Sequence, residues 1–366
     1  MAAFLICHLV KPLHIGNKSF CCSIKFISSV SQKTMSNSHK PKKHHFVPEC
    51  YLKNFKTGAN LYTLDVRKVQ KGYREKVKSN HPGKICYYED YYKIKDEHVD
   101  SQFKLHEYEE LFVETSVLKR LENKYSDLQK KIEVEHELCI SEAVEISDLI
   151  IQLKIRNPYW FEHILEPRKK EWIEFAMDEI INEMQEENRF SSIPQEAKKK
   201  LCDEFKESIM NDPNYAKKIQ LYSLIERERS SDRNNKSYRA AMLKGKWVLL
   251  ISPPLGPYFI TTDNPGFSIR ENDPKVYNTA FTAGYAYHFP LSPQFCLLIT
   301  DFLDEPKLYS SKDKKSISTL KIDGNRVLQI NNCSIQLINR LAIGSQEWYL
   351  EEIGKLNSPN YPESNI

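Results

Sequence analysis

Apolar positions change their period twice along the chain. From His45 to Lys95 they fall in short, tyrosine-rich runs, Leu61-Tyr62-Thr63-Leu64 and Ile85-Cys86-Tyr87-Tyr88, separated by turn formers at Lys71-Gly72 and His81-Pro82-Gly83. This segment reads as two or three strands. The period then becomes helical, with Leu111, Leu118, Leu121, Tyr125, Leu128 and Ile132 at spacings of three, four and seven. A second helix is predicted over 141–156, capped by Ser141 and stopped at Asn157-Pro158, because a residue before proline avoids the helical region. Helical character resumes at Trp160 and breaks near Pro167. Two more helices follow, one after Ser192 with Pro194 in its first turn and one over 214–243.

After Gly245 strand-like runs return. Lys246–Ile251 and Tyr258–Thr262 flank a proline-rich turn and read as a hairpin, and Ala286–Phe289 with Phe295–Ile299 make a second pair around Leu291-Ser292-Pro293. A closing helix over 331–340 and a last strand near Trp348 complete the pattern. Strands, then helices, then strands predict an α+β fold, its N- and C-terminal strands forming a mainly antiparallel sheet around a long helical middle. The expected organisation is one domain over 41–350 with a helical insertion at about 100–243, a disordered or non-native extension over 1–40 and a flexible tail over 351–366.

Composition adjusts this picture only at the ends. The first 48 residues carry seven lysines and no acid, which leaves 46 basic against 49 acidic residues from Glu49 onward. The body of the chain is therefore not basic, and net charge gives a nucleic-acid partner no support. Residues 1–34 have the acid-free, serine-bearing composition of a transit segment, but Met35-Ser36-Asn37-Ser38 restarts the chain in the manner of a second start, so targeting and an upstream-start extension both stand. Nine cysteines at irregular positions, without C-x-x-C, point to reduced thiols and a cytoplasmic protein. No apolar run approaches the roughly 18 residues of a membrane span, so no membrane partner is expected.

Dinucleotide and P-loop glycine motifs, H-E-x-x-H, G-x-S-x-G and EF-hand loops are absent from the sequence. Four polar constellations remain. His44 and His45 precede an extended Phe46-Val47-Pro48, where neighbouring side chains face opposite ways, so one imidazole can face a site while the other is structural. Phe46, Tyr51, Leu52 and Phe55 read as its core anchors. Gln152 and Arg156 share a helix face that can grip a phosphate or carboxylate, or else form a polar helix end. Asp263 ends a strand in Thr261-Thr262-Asp263-Asn264-Pro265, as a site carboxylate or as a turn former. His288 lies in an apolar strand as a core residue, whereas His98, His106, His136 and His163 fall on charged stretches and read as solvated.

Taken together, His44-His45-Phe46-Val47-Pro48 with Tyr51-Leu52 and Phe55, Gln152/Arg156/Pro158, Thr262-Asp263-Asn264-Pro265, Pro290-Leu291-Ser292-Pro293 and Asn339-Arg340 resemble the family named domain of unknown function 4238, over about residues 41–345. One departure is Glu49-Cys50, where the family more often has a basic or amide residue followed by an aromatic one. The resemblance implies a fold unit and a motif set without supplying an activity. Polar residues of separate segments recurring as motifs imply convergence in space, and His, Asp, Arg and Gln together suit a hydrolytic or phosphate-handling site. The leading expectation is a hydrolase of phosphodiester or nucleotide substrates. In it His44 or His45 is base or metal ligand, Asp263 a ligand or orienting carboxylate, and Gln152, Arg156 and Asn264 bind substrate; the cofactor is left open, a divalent metal being one such a site could take. The alternative is a non-catalytic interaction or regulatory protein whose motifs are structural and whose helical middle meets a partner.

Overall fold

A computed structural model describes residues 42–99, 105–186, 193–226, 233–302 and 313–359. The expected extension over 1–40 and the end of the expected tail lie outside these residues. The N-terminal part holds β1 (Lys43–His45), β2 (Leu61–Asp65), β3 (Lys78–Asn80) and β4 (Tyr87–Glu89). The helical middle holds α1 (Lys119–Lys130), β5 (Glu137–Cys139), α2 (Ile140–Ile155), α3 (Lys169–Glu186), α4 (Gln195–Asn211), α5 (Tyr215–Glu226) and α6 (Arg233–Lys244). The chain then runs through β6 (Lys246–Ile251), β7 (Thr261–Thr262), β8 (Phe267–Arg270), β9 (Asp273–Tyr277), β10 (Tyr285–Pro290), β11 (Phe295–Thr300), β12 (Lys314–Lys321), α7 (Gly324–Gln336), β13 (Leu341–Gly344) and α8 (Glu347–Leu356). The class is α+β.

Two larger sheets carry the fold. One has seven strands in the order β5-β12-β6-β11-β10-β8-β9, antiparallel except for the parallel β12/β6 pair. Its β6 is a continuous apolar run buried over Trp247–Leu250, as a strand covered on both faces requires. The other, β3-β2-β13-β7, joins strands from both ends of the chain, with β13 between β2 and β7. β1 pairs with β4 alone. The largest core cluster runs from Phe46, Tyr51, Leu52 and Phe55 through the apolar face of α2 to Phe289 and Leu297, so the expected anchors are buried.

Several expectations are corrected. Tyr258–Thr262 is not the hairpin partner of β6, which pairs with β11 and β12. Only Thr261–Thr262 is strand, because the residues before it bond elsewhere: Phe259 N–H donates to Pro293 O at 2.8 Å, while the Asn331 side chain accepts from Ile260 N–H at 3.1 Å and donates to Tyr258 O at 2.8 Å. One asparagine thus replaces a strand partner. The closing helix begins earlier, at Gly324, and Trp348 lies in α8, which crosses the tail boundary expected at 350. Cys139, not Ser141, precedes α2, and the 111–132 helix opens and closes with π-helical turns at Val113–Leu118 and Lys131–Glu135. His98 is buried, its Nδ1 accepting from Lys95 N–H at 3.2 Å, and His136 closes its helix in the left-handed conformation; neither is merely solvated. Among the described residues no helix is long and apolar enough to cross a membrane.

Gly266, at φ +80°, lets the chain leave the Asp263-Asn264-Pro265 turn against Tyr287; a Cβ there would stand 2.3 Å from Tyr287 Oη and 3.1 Å from His288 O. Gly266→Ala is expected to cost about 2–4 kcal/mol in urea unfolding. A loss under about 0.5 kcal/mol, the size of an ordinary surface change, would contradict this packing.

Candidate functional site

The C-terminal end of α2 is the meeting point of the motif segments. A helix end leaves four carbonyls without helical partners, and when it is buried other groups must fill them. Here the last helical bond runs from Arg156 N–H to Gln152 O at 2.9 Å, and beyond it Gln220 Nε2 donates to Ile155 O at 2.9 Å and Tyr92 Oη to Arg156 O at 2.6 Å. Lys154, Arg156 and Asn157 then point in different directions from this end, and all three are buried.

Arg156 faces the N-terminal motif. Its Nη1 donates to Glu122 Oε1 at 2.7 Å and its Nη2 to the His45 carbonyl. Burial opposes its charge, but Glu122, Tyr92 and Glu114 outweigh burial and raise its pKa further. Both terminal nitrogens of the guanidinium are thus committed within the protein, and only Nε has no partner. Gln152 is buried beside it.

The two histidines separate as strand alternation requires. His44 is fully buried, stacks on Tyr92 with centroids 5.8 Å apart, and accepts from Tyr92 N–H through Nδ1 at 2.8 Å. His45 lies against Tyr87 on the other side, and its Nε2 is buried without a hydrogen-bond partner. Burial lowers its pKa, with Gly83, Arg156 and Glu122 as smaller influences, so the ring is neutral near pH 7. Glu114, on the first π-helical turn, faces the same charges. Burial pushes its carboxyl up to about 7, Arg156 pulls it down and Glu122 pushes it up, while its Oε2 is buried and unpartnered. Cys50 is driven up to about 12 by burial and Glu122, and is no thiolate nucleophile.

Asn157 faces the strand-end motif, donating from Nδ2 to Asp263 O at 2.6 Å. The Asp263 carboxylate accepts three main-chain N–H groups, from Asn339 (2.9 Å), Arg340 (2.7 Å) and Leu341 (2.9 Å), which ties β7 to the turn entering β13. Burial pushes Asp263 up to about 6 while these amides pull it down. This is a turn anchor with little acceptor capacity left for a reacting group.

Lys154 faces the third direction. Its ammonium donates to Asn264 Oδ1 (3.1 Å), Asn278 Oδ1 (3.1 Å) and the Gly266 carbonyl, all neutral oxygens, and burial lowers its pKa well below the usual lysine value. Asn264 is fully engaged, donating through Nδ2 to Asn278 Oδ1 at 3.0 Å and Leu337 O at 2.8 Å. Tyr51 closes the circuit between the first motif and the last two, donating to Pro290 O at 2.8 Å and meeting Thr261 Oγ1 at 2.7 Å.

The motifs therefore converge, through main-chain atoms as much as side chains. His288 is a core residue: it stacks on Phe267 at 5.0 Å, its ring nitrogens have no partner, and burial takes it down to about 3. Sequence reasoning missed Glu114, Glu122, Asn157 and Lys154. The position of Lys154 inside Leu149–Ile155, apolar on both sides, was a readable sign of burial. Among the described residues no group of three or more His, Cys, Asp or Glu side chains is placed to hold a metal ion.

Two outcomes test this geometry. Asp263→Asn turns an acceptor into a donor facing main-chain N–H groups, and is expected to cost about 2–3 kcal/mol in chemical unfolding; an unchanged midpoint would contradict the anchor. Glu114, raised to about 7, stabilises the fold below its unfolded value, and this contribution is lost as pH rises through 7. Glu114→Gln should therefore gain about 2 kcal/mol on wild type between pH 4.5 and 8, after discounting for partial exposure. Parallel stability curves would contradict the assignment.

The profile of the family described as Protein of unknown function (DUF4238) matches residues 43–347. Comparison with curated proteins and with solved structures returns no match.

Proposed function

The chain belongs to this family of proteins of unknown function, and from that premise we propose a non-catalytic binding or regulatory protein whose motifs are its internal framework. One observation carries this reading. Of the groups expected at a site, Asp263 is committed to three main-chain N–H groups and the terminal nitrogens of Arg156 to Glu122 and the His45 carbonyl. Asn264 is held the same way by Lys154, Asn278 and Leu337. Binding then falls to the helical middle and its neighbours. A cytoplasmic location belongs to the same proposal, supported by the free thiols of Cys50, Cys86, Cys139, Cys202, Cys296 and Cys333 among the described residues.

A hydrolytic reading has one specific observation in its favour: three orphaned polar atoms, His45 Nε2, Glu114 Oε2 and Arg156 Nε, belong to residues of one electrostatic cluster. In that reading neutral His45 is the base, Glu114 the acid and Arg156 a fixed positive charge, acting on a phosphodiester or nucleotide. Turnover of phosphodiester and nucleotide substrates, with and without divalent cations, decides between the two. The proposal expects no turnover that His45→Gln or Glu114→Gln reduces. Turnover lost at least about 100-fold in either variant, with a melting temperature no lower than that of wild type, would replace it with the hydrolytic reading.

A further inference from the structure

A cleft of about 510 Å³ opens beside the framework, between the segment 160–175 and the end of β9. Its walls are aromatic: Trp160, Trp172, Phe175 and Tyr277, with Arg168 at the rim and Asn278 within the lining. The volume falls in the range of small-molecule sites. Phe175 is 44% exposed, a large apolar ring left open to solvent within this wall.

The cleft has a fixed polar group. Asn278 is 7% exposed, and its orientation is not a free choice: the Leu337 carbonyl can only accept, which fixes Asn264 Nδ2 as a donor, and that nitrogen must meet the Asn278 amide oxygen, where Lys154 also donates. Asn264 Nδ2 donates to that same oxygen at 3.0 Å. The Asn278 amide nitrogen is therefore turned away from Lys154, and it is buried with no hydrogen-bond partner. A buried N–H₂ without a partner is costly, and an acceptor on a ligand recovers that cost. The rim supplies charge. Arg168 lies 5.5 Å over the Trp172 ring and pairs with Glu171 at 2.9 Å, both side chains being more than half exposed. Such an exposed pair is weak enough to yield to an anion.

We propose that this cleft binds a free mononucleotide, its base held among the aromatic rings with a carbonyl or ring nitrogen accepting from Asn278 Nδ2, and its phosphate at Arg168. A nucleobase presents acceptors along the edge of a flat ring, whereas among peptide aromatics phenyl has none, the indole N–H is a donor, and only tyrosine and neutral histidine offer a single one. The inference rests on the binding reading above and names its ligand class, using none of the His45 cluster.

The test titrates AMP, GMP, CMP and UMP, and the matching nucleosides, into the full chain, read by tryptophan fluorescence, since Trp160 and Trp172 line the cleft, and by calorimetry. At least one nucleotide is expected to bind with a Kd below about 1 mM. Asn278→Asp keeps an oxygen for Lys154, adds a charge that suits it, and removes the donor; it should weaken binding about tenfold or more without lowering the melting temperature. Phe175→Ala, a partly exposed position, should weaken binding as well, and Arg168→Ala should erase the preference for nucleotide over nucleoside. Absence of binding by all four nucleotides, or binding that Asn278→Asp and Phe175→Ala both leave unchanged, overturns the site and leaves the non-catalytic reading standing. Turnover of a bound nucleotide that Asn278→Asp also abolishes supports the site and overturns the non-catalytic reading.

Discussion

Everything distinctive in this fold depends on burying the polar end of one helix. α2 finishes in Lys154, Ile155, Arg156 and Asn157, and the three polar side chains among them are buried. Water cannot serve these groups or the helix's last carbonyls, so the chain must bring partners to them. It does so from separate places in the sequence: Gln220 and Tyr92 for the carbonyls, Glu122 and His45 for the guanidinium, Asp263 for the amide, and Asn264, Gly266 and Asn278 for the ammonium. A partly satisfied network of this kind is worse than an apolar core, which is why the segments that meet here carry such specific residues.

That requirement also orders the functional question. A side chain whose donors and acceptors are filled by main chain holds geometry, and Asp263 is filled in this way. Among the described residues several buried polar atoms are unfilled, His288 and Tyr287 in the core included, and two sets of them border the hub. On one side are His45, Glu114 and Arg156 Nε, where charge and burial set an acid and a base apart. On the other is the buried Asn278 amide nitrogen, whose residue bonds Lys154 through its oxygen and belongs to the lining of the aromatic cleft. The framework thus supports both faces while its own polar atoms stay occupied.

The α+β class, the central strands β6, β10 and β11, and the start and stop of α2 within a residue or two were legible in the sequence, because burial there leaves a period or a continuous apolar run. The anchors Phe46, Tyr51, Leu52 and Phe55 were legible for the same reason. The pairing of Tyr258–Thr262 was not, since its bonds go to the Asn331 side chain and to Pro293, and no local pattern announces a partner that distant. The histidine pair was half legible: strand alternation separated His44 from His45, but Glu114 and Glu122 enter by tertiary packing alone. Asn278 carried no signal at all, as its role comes from the lysine across from it.

The central claim is that the motifs hold the fold together through main-chain donors, and amide hydrogen exchange reads those donors directly. The N–H groups of Asn339, Arg340 and Leu341, which bond Asp263, and that of Tyr92, which bonds His44, lie outside or at the edge of regular elements. The account predicts that they exchange as slowly as the amides of β6 and β11, through global opening only. Exchange at the rate of an unprotected turn would contradict it.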